Sequence, residues 1–343
     1  MFGAADFWLF TMPETFTVPD SVAAERLDRW LAGALGISRS QAERLIDNGA
    51  VTLNGKLPRK AGDQVVPRDT VAVDYSAVRS PGAATADKPP EADRRDLVRV
   101  VFETADYVVV DKPSGLAAHP PENVADRLAI ETSATLSGWV LSRYPETWGV
   151  GEYANRPGMP HRLDKDASGL MVIARRQGMF SALKRQFKER TVEKHYYALA
   201  HGAIEADTGT IDFPLDRGPD GRMVARPRIE SVTLKNVASL QPGKAALTEF
   251  TVLKRFVNFT FLEVRIHSGR THQIRVHFFA YNHPLVGDPL YFNKKLRRDK
   301  DKELGRIFLH AHSLAFADLS GERAAYESRL PAELQDFLTG LPA

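Results

Sequence analysis

Residues 156–175 read RPGMPHRLDKDASGLMVIAR, and the change of character within them decides how the longer part of the chain is built. Polar groups crowd the loop His161-Arg162-Leu163-Asp164-Lys165-Asp166-Ala167-Ser168, and Leu170 to Ala174 is an apolar run of strand length. Loops held by a rigid sheet are where reactive side chains accumulate. A carboxylate such as Asp164, set among His161, Arg162 and Lys165, would stay ionised and reactive. An ordinary turn with a surface salt bridge explains the same composition, so the loop needs support from the rest of the chain.

Downstream, Phe180, Leu183 and Phe187 mark one face of a helix, and Thr191 to Ala200 alternates as a strand with Lys194, Tyr196 and Ala198 on one side. Between Met171 and Tyr197 seven Lys and Arg residues face only Glu189 and Glu193, a local excess of five positive charges. Phosphate contact and a solvated face explain that excess equally well. Phe259 to Ile266 reads as a strand, and Ile274, Phe278 and Tyr281 fall at helical spacing within Thr271 to Ala280.

Between these two elements lies a second polar cluster, His267-Ser268-Gly269-Arg270-Thr271-His272-Gln273-Ile274-Arg275-Val276-His277. Gly269 permits a sharp turn there and Thr271 is a plausible helix cap. His272 and His277 cannot chelate a metal locally, since five residues place them far apart around a helix and on opposite faces of a strand. His310 and His312 share a strand face, and a packed or hydrogen-bonded pair accounts for them better than a metal. A further basic run from Lys294 to Arg306 is diluted by Asp299, Asp301 and Glu303 and reads as solvated surface.

Upstream of the polar loop, Val98 to Phe102 and Tyr107 to Val110 are strand-length runs, and Asp111 to Gly115 reads as a turn. Residues 77–95, AVRSPGAATADKPPEADRR, lack apolar periodicity and read as a linker. Before them stands a small unit. Leu27, Trp30, Leu31, Ala34 and Leu35 define an amphipathic helix, and Ser40-Gln41-Ala42-Glu43 has capping-box spacing for a second helix that ends at Asn48-Gly49. Val51 to Leu53, an Asn54-Gly55 hairpin signal and Val71 to Val73 supply strands.

The 343 residues are 43% hydrophobic and 26% charged, which suits a folded chain with one or two cores. There is no cysteine, so disulfide frameworks, thiolate zinc sites and cysteine nucleophiles are excluded. The net charge of +3 is too small to announce a nucleic-acid partner by itself. No apolar run approaches the roughly 20 residues that span a bilayer, and the first residues do not form a secretory signal. A soluble, cytoplasmic protein is expected, with residues 1–11 a frayed extension or an over-long start before Met12.

Two resemblances sharpen this reading. RLDRWLAGALGISRSQAERLIDNGAVTLNGK, residues 26–56, resembles the small RNA-binding domain shared by a small-subunit ribosomal protein, tyrosyl-tRNA synthetases and several RNA-modifying enzymes. It implies that Arg39, Arg44, Asn54 and Lys56 help hold a structured RNA backbone. RPGMPHRLDKDASGLMVIAR is similar to the R-P-G-x-x-H-R-L-D-x-x-T-S-G-L-x-x-x-A signature of the RluA/RluD-type pseudouridine synthases, with Ala167 where Thr is usual and Pro160 where an aliphatic residue is common. DKPSGLAAHP, VEKHYYALAHG, HSGRTHQIRVHFFAYNHPLVGDPLY and IFLHAHSLAF continue the resemblance in order across residues 97–317.

That family breaks the bond from uracil nitrogen to ribose, turns the base and rejoins it through a ring carbon, without metal or cofactor. The resemblance implies that Asp164 is the essential carboxylate, acting as nucleophile or as base, and that Arg275 pairs with it and orients it. Tyr196 matches the tyrosine that stacks on the target base and removes the proton from the new carbon linkage. Arg162 matches the arginine that fills the gap left by the extruded nucleotide. His161, Lys194, Gly269 and Arg270 complete the expected substrate contacts.

The expected architecture is α+β in two domains: an N-terminal extension (1–21), a small αα-β RNA-binding domain (22–76), a linker (77–95) and a catalytic domain on a mixed, mostly antiparallel sheet (96–343). The expected function is isomerisation of uridines in RNA, most naturally large-subunit ribosomal RNA or a pre-ribosomal particle, by a monomer needing no metal, cofactor or membrane. One alternative is a non-catalytic RNA-binding or ribosome-assembly protein on the same fold. Another is a hydrolase cleaving a glycosidic bond with Asp164, which needs a second carboxylate, for which Asp166 is the near candidate.

Overall fold

Leu27, Trp30 and Leu31 are buried on one face of the first helix, α1 (Leu27–Leu35), as the apolar spacing requires. They pack on Ala42 and Ile46 of α2 (Arg39–Asp47) and on a small sheet. That sheet orders β1 (Glu14–Thr17), β5 (Thr70–Val73) and β3 (Val51–Leu53), all antiparallel. Val71 and Val73 alternate inward along β5 with period 2. A short ladder joins β2 (Glu25–Arg26) to β4 (Gln64–Val65). Asn54 and Gly55 both adopt positive φ, 52° and 74°, in a tight two-residue turn closed by Leu53 and Lys56.

The structure, a computed structural model, describes residues 14–35, 39–47, 49–74, 93–121, 124–218, 222–225, 243–293, 295–296 and 299–342, with the side chains of residues 14, 40, 41 and 44 also left out. The chain divides into two compact units at Pro90 and Glu91. Residues 1–13 and most of the expected linker lie outside the described residues.

Three local expectations need correction. Residues 14–17, read as part of an N-terminal extension, form the edge strand β1, and Val18 is buried beside it. Their partner lies more than fifty residues away, so no local pattern reveals the pairing. Helix α2 starts at Arg39, which puts Ser40 inside the first turn instead of at the cap. Asp93, Arg94 and Arg95, read as linker, begin the second unit: Asp93 caps a 3₁₀ turn (Arg94–Leu97), and Arg94 Nη1 donates to the carbonyl of Ser114 at 2.9 Å.

The second unit is built on a nine-stranded sheet. Its strands are β6 (Arg99–Glu103), β7 (Tyr107–Lys112), β8 (Ser168–Ala174), β9 (Glu193–His201), β10 (Thr208–Ile211), β13 (Thr248–Phe256), β14 (Phe259–Ile266), β15 (Leu309–Ala317) and β16 (Arg323–Glu327). The order is β10-β13-β14-β9-β15-β8-β7-β6, with β16 also on β15. Only β15 and β8 run parallel among these pairs, so the sheet is mixed and mostly antiparallel. A separate ribbon pairs β11 (Leu215–Arg217) with β12 (Met223–Ala225).

Strands β7 and β8 are buried along their whole length, and successive residues serve opposite faces. Val108, Val110, Met171 and Ile173 pack with α4 (Leu136–Arg143), which follows the short α3 (Arg127–Glu131), and with α6 (Gln273–Ala280). Tyr107, Val109, Leu170 and Val172 pack with Met179, Phe180 and Leu183 of α5 (Gln177–Glu189). Each such aliphatic side chain, fully buried, contributes about 1.5–3 kcal/mol. Farther along, Phe308 packs with Leu334 of α8 (Ala332–Thr339).

The basic run at 294–306 is not uniform surface. Asp301, on α7 (Asp299–Leu304), is buried and accepts from Gly287 N at 2.7 Å, while Arg306 turns inward to donate to Ser168 Oγ at 2.6 Å.

Candidate active site

The polar loop between α4 and β8 is fixed from both ends by close backbone approaches. Gly158, with φ 66°, lies where a Cβ would sit 2.2 Å from the Ala174 carbonyl oxygen, and Gly169, with φ 119°, where a Cβ would sit 2.3 Å from that of Ala311. Only glycine fits at either position. Between them, the segment that follows β7 cradles the loop. Gly115 N donates to Lys165 O at 2.8 Å and Ser114 Oγ to Asp166 O at 2.6 Å.

Lys112 lies at the centre of this cradle, fully buried, with Nζ 2.7–3.2 Å from the carbonyls of Pro113, Leu116, Lys165 and Ala167. Burial, helped by the charge of Arg306, pushes its pKa down to about 7. The sequence reading places Asp111 and Lys112 in a turn. Both instead finish β7, and the lysine tail ties that strand to the loop.

The second polar cluster meets the loop from β14 and α6. Its turn is set by His272, which takes the left-handed conformation (φ 54°) at the helix start, so neither Gly269 nor Thr271 performs the expected turn or cap. The buried Gln273 amide staples the turn, accepting from Ser268 Oγ at 2.7 Å and donating to Leu247 O at 2.9 Å. Gly269 borders open space at the cleft.

A cleft of about 440 Å³ opens between the two segments. Arg275 Nη1 donates to Asp164 Oδ2 at 3.1 Å, and His272 Nε2 stands 3.9 Å from Asp164 Oδ1. The same guanidinium donates twice to Asp288, Nε to Oδ2 and Nη2 to Oδ1, each at 2.8 Å. Asp288 is itself buried and pinned, accepting from the backbone N–H of Leu290 and Tyr291 at 2.8 and 3.0 Å. Burial opposes the charge on Arg275, but the hydrogen bonds and charge of Asp288, joined by Asp164, raise its pKa above the ordinary value. His272 Nδ1 meets Tyr291 Oη at 3.0 Å, and burial keeps its imidazole on the neutral side despite the pull of Asp164.

Tyr196, on β9, is buried in the wall of the same cleft. Burial first, then the charge of Asp164, raises the pKa of its phenol and holds the proton on it. Lys194, two residues earlier on the same face, is buried with Nζ 5.4 Å from the centre of the Phe187 ring, and burial lowers its pKa to about 8. His161 stacks on Phe187 with ring centres 4.8 Å apart, and its Nε2 accepts from Val172 N at 3.1 Å. Burial and Lys194 push its pKa down to about 3. Arg162 and Arg270 are exposed and line the opening.

Asp164, Tyr196, Arg275, Arg162, His161, Lys194, Gly269 and Arg270 therefore share one cleft. Asp166 lines a separate cavity of about 830 Å³ with Arg94, Lys165 and Arg306. The local excess of charge near 171–197 is also divided. Arg175 pairs with Glu103 and Glu146 and Arg176 with Asp106, whereas Lys184, Lys188 and Lys194 reach the cleft. His310 Nδ1 meets Ser168 Oγ at 2.9 Å and His312 Nε2 meets Glu263 Oε1 at 3.0 Å, each in its own hydrogen bond.

In the small unit, Arg39 donates to the fully buried Asp28 at 3.0 Å, beside Arg26. These partners, Arg26 foremost, hold the Asp28 carboxyl far below the usual range. Asn54 is exposed, and its side chain is engaged by neighbouring residues of the unit, donating to Asp69 and accepting from Thr70 N, each at 2.8 Å. Lys56 is exposed, and the side chain of Arg44 lies outside the description.

His272, Asp288 and Lys112 are absent from the expected site. His272 stands three residues before Arg275 at the start of the same helix, a nearness in sequence that could have found the first. Asp288 lies thirteen residues beyond Arg275 and carries no such signal. Among the described residues, no group of three or more His, Cys, Asp or Glu is placed to hold a metal, and no helix is long and apolar enough to cross a membrane.

Residues 106–280 match the family model described as RNA pseudouridylate synthase, and residues 25–71 match that of the S4 domain. The chain is 37% identical over 325 residues to an uncharacterized RNA pseudouridine synthase of Mycobacterium bovis, covering 94% of this chain and 96% of that one. It is 35% identical over 333 residues to a ribosomal large subunit pseudouridine synthase D of Neisseria meningitidis, covering 95% and 81%. Among solved structures, the human RNA pseudouridylate synthase domain containing 1 superposes with a TM-score of 0.53 at 26% identity, covering 71% of this chain and 87% of that one.

Proposed function

The chain belongs to the RNA pseudouridylate synthase family, and from that premise we propose that Asp164 is the carboxylate on which it converts uridine to pseudouridine. It is an isomerase that acts on RNA and carries an S4 RNA-binding domain. In the reaction the bond from uracil N1 to ribose C1′ breaks, the base turns, C5 bonds to C1′, and the C5 proton is exchanged for one on N1. Nothing is added or lost.

The observation that carries the assignment is the placement of Asp164 in the cleft with Arg275 at 3.1 Å and His272 at 3.9 Å. The fork of Arg275 is held by Asp288, so the Asp164 carboxylate is presented in one orientation. As nucleophile or base it acts at the ribose. Tyr196, whose proton is held by burial, gives the uracil a flat wall on which to turn. The Tyr196 oxygen takes the C5 proton as its own phenolic proton passes, by way of solvent, to uracil N1, so the exchange balances. Arg162, exposed at the opening, fills the gap left when the uridine leaves the stack. Lys194, Arg270 and the ring of His161 bound the substrate, and Gly269 leaves it room.

A hydrolase reading needs a second carboxylate across the cleft. Asp166 lines another cavity, and Asp288 is committed to Arg275, which favours isomerisation.

The named substrate of the Neisseria relative and the S4 domain support large-subunit ribosomal RNA, free or in an assembling particle, as the target. Lys56, which is exposed, and Arg39 and Arg44 of the small unit hold the RNA backbone. The protein is proposed to act as a monomer, in the cytoplasm where that RNA is made. Incubating the purified protein with unmodified transcripts of the large- and small-subunit ribosomal RNAs, and with precursor particles, tests the target. Pseudouridine is expected in the large-subunit RNA alone, as transcript or in precursor particles, and its absence from both with modification of the small-subunit RNA would refute this choice of RNA.

A further inference from the structure

Besides the residues given a chemical role, the cleft is lined by Glu152, Tyr153 and Arg156 and by Lys184 and Lys188 of α5. Tyr153 is 58% exposed there, with the guanidinium of Arg156 over its ring at 5.1 Å from the centre. The loop is not a free tip. Gly151 N donates to Gln177 Oε1 at 2.8 Å, Gly158 N to Val150 O at 2.8 Å, and Lys184 Nζ to Glu152 Oε2 at 2.8 Å. Lys184 and Lys188 stand one helical turn apart on α5 and line the same cavity as Tyr153 and Asp164.

An exposed ring held on fixed backbone, with Arg156, Lys188 and the Glu152-paired Lys184 around it, is a combination that holds a single nucleic-acid strand. The π-face takes a base and the cations take phosphate. The reaction creates a need for such a place. Arg162 fills the gap inside the stack, whereas a neighbouring base drawn toward the cleft with the extruded uridine loses its own stacking, and a ring face such as that of Tyr153 offsets part of that cost.

We infer that Tyr153, Arg156, Lys184 and Lys188 form a second nucleotide subsite that takes the base and phosphate of a nucleotide next to the target uridine in the same strand. The inference rests on the reading of the cleft as a uridine site.

The test uses the full chain with two probes, uridine 5′-monophosphate and the trinucleotide UpUpU, titrated by calorimetry. The wild-type protein binds UpUpU more tightly. Tyr153→Ala weakens UpUpU by about tenfold, the scale of losing one stacked base, and leaves the monophosphate as it was. Tyr153→Phe keeps the wild-type preference, because the ring face and not the hydroxyl is used. Lys188→Ala lowers the slope of log affinity against log salt for UpUpU by about 0.7, one phosphate contact on a single strand. Unchanged UpUpU affinity in Tyr153→Ala overturns the subsite, as does an equal loss for both probes. Pseudouridine formation is measured separately, so failed turnover speaks against the synthase reading of Asp164 and a lost trinucleotide preference against the subsite.

Discussion

Asp288 grips Arg275 through two hydrogen bonds of 2.8 Å, Nε to Oδ2 and Nη2 to Oδ1, and so leaves Nη1 as the nitrogen turned to Asp164. One guanidinium thus serves two carboxylates, the buried one as anchor and the one in the cleft as the group presented. A lysine at this position has no fork with which to do both. Asp288→Asn leaves the buried Arg275 charge short of its main partner. Removing one member of a buried ion pair costs about 3–5 kcal/mol, so a large drop in the denaturant midpoint is expected. At temperatures where the variant is still folded, kcat should fall more than KM rises. Unchanged stability and turnover would show that Asp288 is not the anchor.

His161 should make the protein acid-sensitive. Its Nε2 accepts a backbone N–H and its pKa in the folded state is about 3, below the ordinary value of about 6.5. The unfolded chain therefore takes up a proton below pH 6.5 that the folded chain refuses, and the stability from neutral His161 is present above that pH and lost as pH falls toward 3. His161→Gln keeps an acceptor near Nε2 and cannot titrate. It should match the wild type near pH 7.5 and be the more stable of the two at pH 5, the gap growing by at most about 1.4 kcal/mol per pH unit. A gap that stays constant with pH would remove His161 from this role.

Tyr196→Phe separates stacking from proton transfer. The ring that packs in the cleft wall is kept, so RNA affinity should stay within about twofold. The hydroxyl is lost, and turnover should drop by about 100-fold or more, the range of a general acid-base contribution. Filter binding and pseudouridine formation on the same RNA read the two effects. Equal turnover in the variant would confine Tyr196 to stacking.

What the sequence made legible follows physical locality. Helix α1 and strands β8, β9 and β14 are read from periodicity because a buried face repeats within a few residues, and Lys194, Tyr196 and Ala198 do share a buried face. Asp164 and Arg275 stand 111 residues apart, and only ordered motifs, not spacing, bring them together. Asp288 and Lys112 carry no local signal, because a buried charge gives no sequence pattern: Asp288 is explained by Arg275, and Lys112 by carbonyls that include those of Lys165 and Ala167. The edge strand β1 escaped for the same reason, its partner being β5. In the turn at 268–272, Gly269 permits a sharp bend by its residue type, but the left-handed residue is His272, beside Tyr291 and the Gln273 staple, and no local pattern marks it.

The small unit offers a contrast between two basic residues. Arg39 is engaged by the buried Asp28, while Lys56 is exposed. Lys56→Ala should leave thermal stability unchanged and lower the salt slope of RNA binding by about one phosphate contact. Arg39→Ala should lower stability as well, by roughly 1 kcal/mol or more, because Asp28 keeps only Arg26. Thermal melts of the two variants beside RNA titrations at several salt concentrations distinguish them. Equal melting temperatures would show that the Asp28 cluster does not depend on Arg39.

The central claim is that Asp164 performs the chemistry, and Asp164→Asn tests it most directly. The substitution keeps the shape of the side chain and removes its charge, with Arg275 still anchored by Asp288. Pseudouridine formed in unmodified large-subunit ribosomal RNA is measured for wild type and variant at equal RNA occupancy. The account predicts turnover in the wild type, none detectable in the variant, and RNA affinity preserved within a few fold. Turnover by Asp164→Asn at the wild-type rate would contradict it.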